Sequence, residues 1–109
     1  MPISYSGGLP YKSYVAILNQ SGVAAPVATG IYNTLGGAVV WSRVSQGQFK
    51  GVLNGAFTLN KTPCLIVNGV NNDSLFAFAN SNTNEIDISC LTGDDDVIQN
   101  ASIEIRVYP

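Results

Sequence analysis

Turn-forming residues interrupt this chain so often that no regular segment runs far past ten residues. Ser21-Gly22, Gly36-Gly37, Gln46-Gly47, Asn54-Gly55, Asn68-Gly69 and Gly93-Asp94 separate short runs rich in β-branched and aromatic residues. No window carries the 3.6-residue period of an amphipathic helix. The runs cover residues 12–20, 23–32, 38–44, 48–53, 64–68, 74–79, 85–92 and 102–108; residues 56–59 read either as a further short strand or as the tail of the preceding one. About eight strands recurring every ten to twelve residues predict an all-β fold: a single antiparallel β-sandwich or jelly roll, with a small barrel sharing the same spacing.

The period within each run predicts which side chains turn inward. In the last run Ile103, Ile105 and Val107 alternate with Glu104, Arg106 and Tyr108, so the first set is assigned to the core and the second to the outward face. The first run sets Tyr14, Ala16 and Leu18 against Val15 and Ile17. Both of its faces are apolar, which fits a strand inside a sandwich or at a subunit contact. Pro26 has no N–H for a ladder, so its strand is expected at an edge or bulged there. The only tryptophan lies in the run 38–44, paired by the Ser45-Gln46-Gly47 turn with the run 48–53 as a central hairpin. Trp41 and Val39 are read as core, and Arg43 packs its stem beside them while its head reaches water or a carboxylate. The rival reading makes Trp41 a sugar-stacking platform.

At 109 residues the chain makes one domain. The domain is expected over residues 12–109, with residues 1–11 as an extended N-terminal arm. Ile3, Tyr5, Leu9 and Tyr11 make that arm either a frayed terminus or a docking strap. Charged residues are 11% of the chain and hydrophobic ones 46%, against about a quarter charged in an average soluble domain. So little charge implies a surface partly covered by copies of the chain or by a partner. A net charge of −2 with five scattered basic residues excludes a phosphate-binding patch and with it nucleic acid. The apolar runs are too short to span a bilayer, and the Met-Pro-Ile-Ser start lacks the features of a signal peptide, so a soluble, unprocessed chain with no membrane partner is expected.

Chemistry-bearing constellations are sparse. The chain has no histidine, which removes the usual general base and metal ligand. Cys64 and Cys90 read as free buried thiols, with a disulfide between their strands as the alternative. Gly36-Gly37 lacks the spacing of a phosphate loop. Glu85 and Asp87 share a strand face, with Glu104 a third carboxylate for a glycosidase, or all three are solvated strand decoration. Asp94, Asp95 and Asp96, with Asp73, are candidate oxygen ligands for calcium, or an ordinary solvated turn. No cofactor and no catalytic residue is assigned.

Several stretches carry a resemblance: Tyr14-Val15-Ala16-Ile17-Leu18-Asn19-Gln20-Ser21-Gly22 followed by Ala25-Pro26, Asn33-Thr34-Leu35-Gly36-Gly37 with Val39-Val40-Trp41-Ser42-Arg43, Gly47-Gln48-Phe49, and the terminal Ile103-Glu104-Ile105-Arg106-Val107-Tyr108. Together they resemble a family of short all-β proteins found in tailed-phage structural gene clusters. The resemblance spans roughly residue 12 to the C-terminus and brings no catalytic signature. It implies a non-enzymatic virion component made in the host cytoplasm: a capsid decoration protein, or a head-fibre or tail-fibre module. Such a component assembles as a homo-oligomer, a trimer being favoured, and contacts other virion proteins. The arm residues and the row Glu104, Arg106 and Tyr108 are the expected interface. The alternative is a lectin-like carbohydrate-binding module that uses Trp41 or the tyrosines.

Overall fold

A computed structural model describes residues 10–67 and 76–109. The arm positions Ile3, Tyr5 and Leu9, together with Asp73, lie outside the described residues. The described chain is all β, with no helix, and its eight strands are β1 Lys12–Asn19, β2 Val27–Asn33, β3 Val40–Ser45, β4 Gln48–Val52, β5 Cys64–Val67, β6 Phe76–Asn82, β7 Glu85–Cys90 and β8 Ala101–Val107. They form two antiparallel four-stranded sheets, one ordered β2-β1-β8-β5 and the other β3-β4-β7-β6.

One core draws on the inward faces of both sheets. Ala16, Leu18, Ile103 and Ile105 come from the first sheet, and Phe49, Ile86 and Ile88 from the second. Trp41 joins them at 7% exposure, and Val107 at 6%. Val39, just before β3, is half-buried against this cluster. Gly51 on β4 makes room for the tryptophan: a Cβ there would meet Val39 Cγ1 at 2.8 Å and the indole at 3.0 Å.

Three differences from the sequence reading have local causes. Residues 56–59 form no strand: Phe57 N–H donates to Thr83 O at 3.0 Å and Gly55 N–H to the Asn84 side chain at 2.9 Å. That loop carries Phe57, fully buried, into the core. β2 begins at Val27, after the buried Pro26. The Gln20 amide donates to the carbonyls of Gly22 (2.8 Å) and Ala24 (3.0 Å), which holds the preceding residues as a loop. β2 is nevertheless an edge strand, and its pairing with β1 skips Ile31 as a bulge. The edge position is the one expected of a strand next to Pro26, whereas the bulge lies at Ile31 and not at the proline. Lastly, the Asn-rich stretch is not all loop: β6 runs to Asn82, and Asn84 N–H donating to Asn82 Oδ1 at 2.8 Å closes the hairpin into β7.

Candidate functional site

Strand alternation gives the two sheets different outward faces. On the β3-β4-β7-β6 sheet, outward positions include Lys50, Glu85, Asp87, Gln48 and Ser89. Lys50 pairs across the ladder with Asp87, and the Ser89 hydroxyl donates to Gln48 Oε1 at 2.7 Å. The outward face of the β2-β1-β8-β5 sheet is mostly apolar. Val15 and Ile17 on β1 stand beside Tyr32 and Thr29 on β2, and Leu65 and Val67 on β5 flank Glu104 and Ser102 on β8. Val27 is 67% exposed, Leu65 62% and Val67 59%. Single exposed valines need no explanation, but a contiguous set across a sheet does.

The charges on this apolar face are concentrated on β8. Arg106 Nε donates to Glu104 Oε2 at 2.8 Å. The guanidinium carbon also sits 4.9 Å from the centre of the Tyr11 ring, within cation–π reach. Tyr11 in turn packs on Tyr108, with ring centroids 5.1 Å apart and planes tilted by 47°. Donating to Glu104, and then to Tyr108, holds the Arg106 guanidinium pKa above its ordinary value. Four of the sequence-derived interface residues, Tyr11, Glu104, Arg106 and Tyr108, are thus brought together.

Beside this cluster, one end of the fold opens into a cleft of about 750 Å³. Its walls include Tyr11, Tyr32, Tyr108, Leu35 and Leu53, with Lys12 and Asn54 as polar members. Trp41 is not among them. Its indole N–H is turned inward, donating to the Tyr14 hydroxyl at 3.1 Å.

The carboxylates divide into separate groups. Glu85 and Asp87 are neighbours on β7, and a hydrogen bond with the Asp87 carboxyl, then burial, then the Asp87 charge raise the Glu85 pKa. Glu104 belongs to the other sheet and faces outward there, so no three-carboxylate groove forms. Asp95 is occupied by protein groups. It accepts from Arg43 Nε at 3.1 Å and Nη2 at 2.9 Å, and from Gly47 N–H at 3.1 Å. Asp96 accepts from Gly22 N–H, and its own N–H donates to Gln20 Oε1 at 2.9 Å. Among the described residues no group of three or more His, Cys, Asp or Glu side chains is placed to hold a metal. The acidic run instead fastens the β3–β4 and β1–β2 turns to the β7–β8 connection.

Both cysteines are free thiols on different sheets, Cys64 on β5 and Cys90 on β7. Burial pushes Cys64 up to about 12 and, with nearby Asp95 and Asp94 adding to it, Cys90 to about 11. Neither is an activated nucleophile.

Sequence reasoning gave the Arg43 head water or a carboxylate but did not identify Asp95 or its bond from Gly47, and it missed the cleft, because both join residues distant in the chain. The polar contrast between the two outward faces was available from the alternation, once strands are assigned to sheets. In comparison with known proteins, the chain matches no family model, no curated protein and no solved structure.

Proposed function

We propose that this protein is a non-enzymatic structural subunit of a phage virion, a capsid decoration protein or a head-fibre or tail-fibre module. In this reading the two sheets stack as a β-sandwich. Consecutive strands β1–β2, β3–β4 and β6–β7 pair within one sheet, which suits a plain sandwich better than a jelly roll, where consecutive strands alternate between sheets. The chain is made in the host cytoplasm and assembles with copies of itself, as a trimer in the form the resemblance favours, and with other virion proteins.

The observation that carries this reading is the outward face of the β2-β1-β8-β5 sheet. A chain with 11% charged residues leaves large apolar side chains of β2 and β5 exposed on one side, with Val15 and Ile17 of β1 half-buried on the same face. Covering that side with protein stabilises the assembly by removing the apolar area from water. Sedimentation at tens of micromolar tests the assembly and is expected to show a discrete oligomer; a strictly monomeric chain overturns it. Mass spectrometry of purified particles tests the location. Absence of the protein from particles made in a producing cell sinks the virion assignment.

A carbohydrate-binding module is the second reading, favoured by the cleft with Tyr11, Tyr32 and Tyr108 on its walls. Tyrosine faces offer an apolar surface with a polar handle, the combination a pyranose ring uses. A glycan array with no hits removes it.

A further inference from the structure

The geometry points to a specific interface: the outward face of the β2-β1-β8-β5 sheet packs against the same face of a second copy, related by a two-fold axis. This rests on the self-assembly reading above; it names the surface and sets a two-fold pair in place of the trimer that the resemblance favours.

The charge pattern selects a second copy as the occupant. The central strand β8 presents one anion and one cation, Glu104 and Arg106, two residues apart on the same face. Successive outward positions of a strand are about 6.6 Å apart. A two-fold axis lying between the faces, perpendicular to β8 and passing between these residues, sets Glu104 of each copy opposite Arg106 of the other. A two-fold interface must be complementary to itself, and this pair meets that condition. An unrelated partner would have to bring a matching pair in the reverse order.

The apolar flanks supply the remaining area. Val15, Ile17 and Tyr32 lie on one side of the charge pair, and Leu65 and Val67 on the other. Val15 and Leu65 stand on either side of Glu104 and Ile17 and Val67 on either side of Ser102, while Arg106 has the Tyr11 ring against it, so apolar side chains border the ions, the arrangement in which interfacial charges set register and orientation. Among the described residues of the opposite sheet, Lys50, Glu85 and Asp87 occupy the centre of the outward face and the exposed Val40 and Val44 lie on its edge strand β3.

Size sets the expected strength. Strands of four to eight residues, about 3.3 Å per residue and about 4.8 Å apart, give a face of roughly 400 Å², or on the order of 800 Å² for two copies. That footprint belongs with weak, transient interfaces, so pairing is expected in the micromolar range.

Sedimentation equilibrium from about 5 to 200 µM tests the proposal, with circular dichroism confirming that each variant is folded. Wild type is expected to approach two chains. Leu65→Asp on β5 weakens association at least tenfold, whereas Val40→Asp, equally exposed on the other sheet, leaves it unchanged. Glu104→Arg and Arg106→Glu each weaken it at least tenfold by facing like charges, and the double swap Glu104→Arg/Arg106→Glu recovers it, because reversal preserves the complementarity. An oligomer indifferent to these changes, or a mass of three chains, overturns the two-fold interface and leaves the self-assembly reading standing. A wild-type monomer at 200 µM overturns both.

Discussion

The Trp41 indole N–H donates to the Tyr14 hydroxyl at 3.1 Å, joining a residue on β3 to one on β1 and so linking the two sheets inside the core. Both side chains are nearly sealed, at 7% and 5% exposure. Tyr14→Phe keeps the ring and removes the acceptor, which leaves a buried donor unsatisfied at a cost of about 1–3 kcal/mol. Urea unfolding followed by tryptophan emission is expected to show a lower midpoint with an unchanged slope. An unshifted midpoint would show that the hydrogen bond contributes nothing.

The same tryptophan depends on a missing side chain. At Gly51 a methyl group would stand 3.0 Å from two carbons of the indole and 2.8 Å from Val39 Cγ1, and β4 is held on both sides by β3 and β7. Gly51→Ala is therefore expected to destabilise the fold by about 1–3 kcal/mol through overpacking, with a red-shifted emission as the ring is displaced. A variant as stable as wild type with unchanged emission would contradict the account.

These positions also show what was legible in the sequence. The hairpin around Trp41 could be read because its signals are local: a β-branched arm, a glycine turn and a second arm. Ile103, Ile105 and Val107 were legible from their two-residue period. That period separates inward from outward but does not say to which sheet a strand belongs, so Glu104 read as a possible neighbour of Glu85 and Asp87 although it lies on the other sheet. Phe57 was read as part of a strand because burial from a loop leaves no periodic trace. The acidic run read as ligands or a solvated turn because its partners, Arg43 and Gly22, lie 52 and 74 residues away.

Arg43 and Asp95 make a pH prediction. The Arg43 hydrogen bonds, then the Gly47 N–H, lower the Asp95 pKa in the folded chain. Its contribution is therefore fully present above the unfolded carboxylate value of about 3.9, and is lost as pH falls through the lower folded value. Asp95→Asn should be less stable than wild type at pH 7, with the difference shrinking toward pH 2. Thermal melts across that range measure it, and a constant difference would show that the charge is irrelevant.

Glu85 predicts the opposite slope. Its pKa is raised, chiefly by Asp87 beside it, so its contribution is favourable below the unfolded value of about 4.3 and is lost as pH rises through the higher folded value. Glu85→Gln removes the like-charge repulsion at neutral pH, and at acid pH its neutral amide takes the place of the protonated acid as donor to Asp87. Its melting temperature should exceed that of wild type at pH 7 and match it at pH 3. A lower value at pH 7 would mean that attraction to Lys50 outweighs the Asp87 repulsion.

The two thiols should be silent while the protein is folded. With Cys64 near 12 and Cys90 near 11, about one molecule in ten thousand carries a Cys64 thiolate at pH 8, and about one in a thousand a Cys90 thiolate, and only the thiolate attacks disulfide reagents. An unfolded cysteine, at about 8.5, is some three orders of magnitude more ionised than folded Cys64. An aromatic disulfide reagent at pH 8 is therefore expected to label neither residue quickly in buffer and both in 6 M guanidinium. The native labelling rate should track the opening of β5 and the end of β7, so Gly51→Ala, which loosens β4 beside β7, should speed labelling at Cys90 more than at Cys64. Equal acceleration at both sites would mean that the sheets open together rather than separately.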